Sequence, residues 1–86
     1  MGRSRQARPE RLAEKLKEIR LKLGLTQPQI FELLDDKKTA LYVGQISLFE
    51  SGQRIPSLLT LLKYAKIAKV PMEVLIDDEL DLPRIS

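Results

Sequence analysis

Between Glu10 and Ile76 the apolar residues fall into blocks with helical spacing, separated by polar or turn-forming residues. Leu12, Leu16, Ile19 and Leu23 recur at intervals of four, three and four, which lines one helix face, and Gly24 follows where a left-handed residue ends such a helix. The pattern predicts a first helix from about Glu10 to Leu23. The next six residues, Leu25 to Ile30, carry three start signals. Thr26 and Gln29 form a capping box, Pro28 fits a first turn whose N–H groups are unpaired anyway, and Leu25 with Ile30 makes a hydrophobic staple. A short second helix is expected from Gln27 to about Leu34. After the polar run Asp35 to Thr39, Ile46 and Phe49 stand three apart and Gly52 offers a stop, predicting a third helix from Val43 to Ser51. Ser57 is a suitable N-cap for a fourth helix. Its buried stripe reads as Leu58, Leu61, Leu62, Ala65 and Ala68, and it ends near Lys69, with Lys63, Lys66 and Lys69 on a solvated side. Pro71 opens a last short helix through Met72, Val74, Leu75 and Ile76. No segment alternates with the period of a strand, so the expected class is all-α.

Composition limits what this helical chain can do. Eighty-six residues with 43% apolar side chains suffice for one small core, read as a domain over residues 9–76. Residues 1–8, with Arg3, Arg5 and Arg8, read as a flexible basic arm, and residues 77–86 as an acidic tail. The net charge of +3 hides this asymmetry: ahead of Asp77 the chain holds 14 basic and 8 acidic side chains, a net of +6. With neither cysteine nor histidine, disulfides, thiolate nucleophiles, Cys/His zinc sites and the usual neutral-pH general base are unavailable. No catalytic residues, metal site or cofactor are expected, and the chain reads as a non-enzyme. Asp77, Asp78, Glu79 and Asp81 lack the spaced ligands and turn glycine of a calcium loop, and read as solvated or as a shield for the arm. No apolar run is long enough for a membrane span and none follows the N-terminal arginines, so the expected compartment is the cytoplasm.

Two short helices packed on a longer first helix and followed by a buried fourth are the layout of helix-turn-helix DNA-binding domains. Ile19-Arg20, Gly24-Leu25-Thr26-Gln27 and the run Ile46-Ser47-Leu48-Phe49-Glu50-Ser51-Gly52-Gln53-Arg54-Ile55-Pro56-Ser57 resemble the phage Cro and repressor type, the Xre family, over roughly residues 10–76. The resemblance implies a compact five-helix lambda-repressor-like fold and a bacterial or phage-type regulator. Such a regulator binds operator DNA, commonly as a dimer on a two-fold site, with the third helix in the major groove. Two features depart from the family. The connection between helices 2 and 3 is lengthened by Asp35 to Ala40, with Leu41 in place of the small buried residue that leads into helix 3. Positions that often carry polar base-contacting groups align with Val43, Gly44 and Leu48, which have none.

With Ile46 and Phe49 turned to the core, Gly44, Leu48 and Ser51 face outward, with Gln45 and Ser47 on the flanks. The base-reading candidates are Gln45, Ser47, Leu48, Gly44 and Val43. Gln45 matches adenine N6 and N7, Ser47 suits a base edge or phosphate, Leu48 suits a thymine methyl, and Gly44 permits close backbone approach. Phosphate candidates are Gln27 at the dipole-positive start of helix 2, Arg54 after helix 3 by the family geometry, and Lys37 and Lys38 in the insertion. Glu50 lies on the inner edge of helix 3 and needs a cation. Arg20, on the flank of helix 1's stripe, is its expected partner, and the resemblance matches the two as an ion pair. Val74, Leu75, Ile76, Leu80 and Leu82 exceed the needs of so short a segment and suggest a homodimer through helix 5. The function expected is a sequence-specific double-stranded DNA-binding regulator, a repressor. The alternative is a protein-interaction module on the same fold, such as a toxin-pair antitoxin or a coactivator bridge, which the polar-poor helix 3 face favours slightly.

Overall fold

The computed structural model describes residues 8–85, so the expected basic arm, apart from Arg8, lies outside the described residues. Five helices follow one another: α1 Leu12–Lys22, α2 Gln27–Leu34, α3 Gly44–Glu50, α4 Leu58–Ala68 and α5 Glu73–Ile76, with no strand among the described residues. α1 packs on α3 and α5, while α2 packs on α3 and α4. Leu16, Ile19, Ile30, Leu34, Ile46, Tyr64 and Leu75 are fully buried where these helices meet. The fold is the all-α, five-helix lambda-repressor-like arrangement.

The helix ends follow local chemistry. Thr26 accepts from the Gln29 N–H while the Gln29 amide oxygen accepts from the Thr26 N–H, so the reciprocal box fixes the start of α2. Gly24 (φ +73°) ends α1, and the Leu25 N–H then reaches back to the Arg20 carbonyl at 3.1 Å. No atom crowds the place of a Gly24 Cβ, so the left-handed backbone alone selects glycine there.

Three expectations are corrected. On α4 the buried arc is Thr60, Leu61, Tyr64, Ala65 and Ala68, whereas Leu58 is 72% exposed and Leu62 lies outside as well. The large Tyr64 ring fills the interior and rotates the arc away from both leucines. Thr60 is accommodated because its hydroxyl meets that of Ser57 at 3.0 Å.

Of the acids after α5, Asp77, Glu79 and Asp81 are exposed, but Asp78 is not simply solvated. Asp78 accepts from the N–H groups of Glu10 and Arg11 at 2.8 and 3.0 Å, serving as a remote cap for α1. Those two hydrogen bonds hold its carboxyl below the usual range. Asp81 pairs with Arg11 at 2.7 Å, and Leu82 and Ile85 pack against the core. The apolar excess near α5 is therefore largely internal: Val74 and Leu75 are buried, Leu80 and Leu82 half-buried, and Ile76 exposed.

Lys63 is not simply solvated either. It pairs with Asp36 at 2.9 Å and ties α4 to the long α2–α3 connection.

Candidate nucleic-acid interface

The position of α3 is fixed by a polar cluster at its C-terminal end. Arg20 Nε and Nη2 donate to the two oxygens of Glu50 at 2.7 and 3.1 Å, a bidentate pair whose side chains are 12% and 5% exposed. The remaining guanidinium nitrogen, Nη1, donates to the Leu25 carbonyl, and the Gln27 amide donates to Glu50 at 3.3 Å. Glu50 thus joins α1, α2 and α3 through charge-assisted hydrogen bonds with defined directions. Tyr64 lies beneath this cluster, and its hydroxyl makes no hydrogen bond among the described residues. Burial, reinforced by the Glu50 charge, holds its ionisation far above the normal phenol range.

At the other end of α3 the lengthened connection is an ordered turn. Asp36 Oδ1 accepts from the N–H groups of Lys38 and Thr39 at 2.8 and 3.0 Å, while the Thr39 hydroxyl donates to the Leu34 carbonyl at the end of α2. The ion pair with Lys63 and these N–H groups lower the Asp36 pKa to about 2. Ala40 takes a left-handed backbone (φ +48°), the Leu41 N–H donates to Asp35, and Leu41 packs against the core. Lys37 and Lys38 are exposed on the rim of this turn.

Between the two ends, Gly44, Ser47 and Ser51 are exposed, whereas Gln45 and Leu48 are half-buried. Gln45 Oε1 accepts from the Tyr42 N–H at 3.1 Å, which closes the first turn of α3 and leaves the side chain its NH₂ donors. The Ser47 and Ser51 hydroxyls donate to the carbonyls of Gly44 and Leu48, each three residues back. Gly44 is not bare, because the Tyr42 ring lies over the place its Cβ would occupy. Val43 is exposed beside that ring.

Arg54 is exposed after Gly52 and shares a cleft with Arg8, so the described start of the chain lies near the end of α3. Among the described residues no carboxylate pairs with Arg54, Lys37 or Lys38.

Sequence reasoning missed Lys15. This residue is 1% exposed, and its ammonium donates to the carbonyls of Val74, Asp77 and Leu80 at 2.8, 2.9 and 2.7 Å. The cation sits at the dipole-negative C-terminal end of α5, where it meets the Val74 and Leu80 carbonyls and shares the Asp77 carbonyl with the Leu80 N–H. Its place on the flank of the α1 stripe was the available signal.

Among the described residues no helix is long and apolar enough to cross a membrane. A family model described as helix-turn-helix matches residues 16–75. No curated protein and no solved structure matches the chain. The matched span runs from within α1 to α5, covers more than half of the chain and includes both clusters that hold α3. The chain belongs to the helix-turn-helix family of the Cro and repressor type, a family of DNA-binding regulators.

Proposed function

We propose that this chain is a sequence-specific regulator of transcription that binds double-stranded operator DNA as a homodimer, with α3 in the major groove. The observation that carries the reading is the Arg20–Glu50–Gln27 cluster, which locks α3 onto α1 and α2 while its outward face stays open. Arg54, Lys37 and Lys38 are cations without a carboxylate partner among the described residues, and they suit phosphates. The Gln27 amide is held by Glu50, so its part is taken by the backbone N–H groups and the dipole at the start of α2. Ser47, Leu48 and Val43 suit base edges and methyl groups. One of the two lone pairs of Gln45 Oε1 is taken by the Tyr42 N–H, so its NH₂ donors are the freer part of the amide and suit guanine O6 or N7, or thymine O4, alongside the paired adenine edge.

Repression is the simplest outcome, since occupancy alone blocks a promoter. The cytoplasm is the matching compartment for such a regulator. Ile55, Leu58 and Ile76 are exposed around one apolar cleft that Leu12 and Leu61 also line, and that face suits a second copy. The same patch is the observation that favours a protein-interaction module instead.

The deciding experiment is selection of bound sequences from random duplexes. A two-fold repeated site occupied by two chains is the expected result. A pool that never departs from random, together with capture of one chain per duplex, would overturn both specificity and dimerisation.

A further inference from the structure

Tyr42 precedes α3 and was not among the residues that composition or resemblance marked for base contact. Its ring atoms Cε2 and Cδ2 stand 3.6 Å or less from where a Cβ on Gly44 would be. Gly44 points away from Ile46 and Phe49, the two α3 residues buried in the core. The ring therefore lies on the outward side of the helix, in the space that a side chain at position 44 would otherwise fill. It is 59% exposed, a large apolar surface left in water at the leading end of α3.

The backbone beneath the ring is fixed twice. The Tyr42 N–H donates to Gln45 Oε1 at 3.1 Å and the Tyr42 carbonyl accepts from the Gln45 N–H at 2.9 Å. On the preceding side, the Leu41 N–H donates to Asp35 while Leu41 packs on the core. An aromatic side chain with few rotatable bonds on a fixed backbone loses little freedom when it meets a ligand. The neighbouring groups compete poorly for the same contact, because Gly44 has no side chain and the hydroxyls of Ser47 and Ser51 donate to their own helix.

We propose that the Tyr42 ring, presented over Gly44 on the outward face of α3, reads the C5-methyl group of a thymine in the major groove. The inference rests on the reading of α3 as the groove helix. It assigns to a residue two positions ahead of α3 the apolar discrimination that Leu48 was expected to supply. A methyl group in the groove is the one apolar feature that distinguishes thymine from other bases, and a ring face is suited to cover it.

The test uses the full chain and a duplex recovered by selection, with each thymine replaced singly by deoxyuridine, which removes the methyl and leaves the pairing edge unchanged. Burial of one such group corresponds to about fourfold in affinity, and wild-type protein should lose that factor at one position per half-site. Tyr42→Ala should bind the selected duplex more weakly and be indifferent to that same replacement, whereas Tyr42→Phe should keep the methyl dependence. Unchanged thermal melting of Tyr42→Ala identifies the loss as one of contact.

A wild-type protein insensitive to every replacement, or a Tyr42→Ala protein as sensitive as wild type, would overturn the proposal. In either case, salt-dependent duplex binding that persists would leave the groove reading standing. Failure of wild type to bind any duplex would remove both.

Discussion

The first helix carries one cation on each flank of its apolar stripe, Lys15 buried and Arg20 half-buried. At about 100° per residue, Lys15 and Arg20 lie at nearly equal angles on opposite sides of the row Leu12, Leu16, Ile19 and Leu23. Arg20 meets a carboxylate on α3 in a fork of two hydrogen bonds. Lys15 meets three backbone carbonyls of α5 and the segment after it. The planar guanidinium fixes direction, as a helix that must present one face to DNA requires. The ammonium is a point charge that gathers oxygens converging from several directions, which suits closure of an irregular segment. One flank therefore orients α3, and the other holds the chain closed.

Substitution can separate these roles. Arg20→Ala should be the most damaging, since it strands the buried Glu50 carboxylate, and a loss of roughly 3 kcal/mol in chemical denaturation is expected. If the pair serves orientation, replacing Arg20 and Glu50 together by apolar residues of similar volume should recover much of that stability without recovering DNA affinity. Recovery of both would reduce the pair to a packing element.

Lys15→Met keeps the aliphatic stem and removes the ammonium, for an expected loss of about 2 kcal/mol. Amides from Glu79 to Leu82 should then exchange faster while DNA affinity of the folded protein stays unchanged. Loss of affinity at full folding would mean that the two flanks are not independent.

A smaller effect concerns the turn before α3. The Asp36 pKa is depressed from 3.8 to about 2 in the folded chain, chiefly by its bond to Lys63 and then by the Thr39 N–H. Its contribution to stability is complete above the ordinary carboxylate range and is lost as pH falls from about 4 to 2. Asp36→Asn should remove that part of the acid transition while leaving the part due to Asp78, whose carboxyl is also held low. A pH profile identical to wild type would show that Asp36 is not held by the pair.

The same contrast explains what the sequence revealed. The boundaries of α2 were legible because Thr26, Pro28 and Gln29 act on their own backbone. Arg20 and Glu50 were legible because opposite charges on two inward-turned edges call for each other. Lys15 occupied an equivalent position, but its partners are main-chain carbonyls, which leave no mark in a sequence. Asp78 was hidden similarly: a cap on an N-terminus 68 residues away has no local signature. The α4 stripe was misjudged because Tyr64 was not counted as an interior residue, although it is fully buried. On α3, the exposure of Gly44 and Ser51 followed from the helical period, whereas Leu48, expected on the same face, is half-buried. The turn Asp35–Ala40, the bond from Gln27 to Glu50 and the ring over Gly44 depend on contacts that periodicity does not encode.

Binding of duplex DNA through the surface around α3 is the central claim, and its salt dependence is the most direct measure of it. Each phosphate met by a cation releases counterions, so for about six contacts the logarithm of affinity should fall against the logarithm of salt with a slope of roughly −5. Arg54→Ala should make that slope shallower by about one while weakening selected and random duplexes by the same factor. A slope near that value, reduced as stated in Arg54→Ala, is the predicted result. An affinity that does not change with salt would contradict the account.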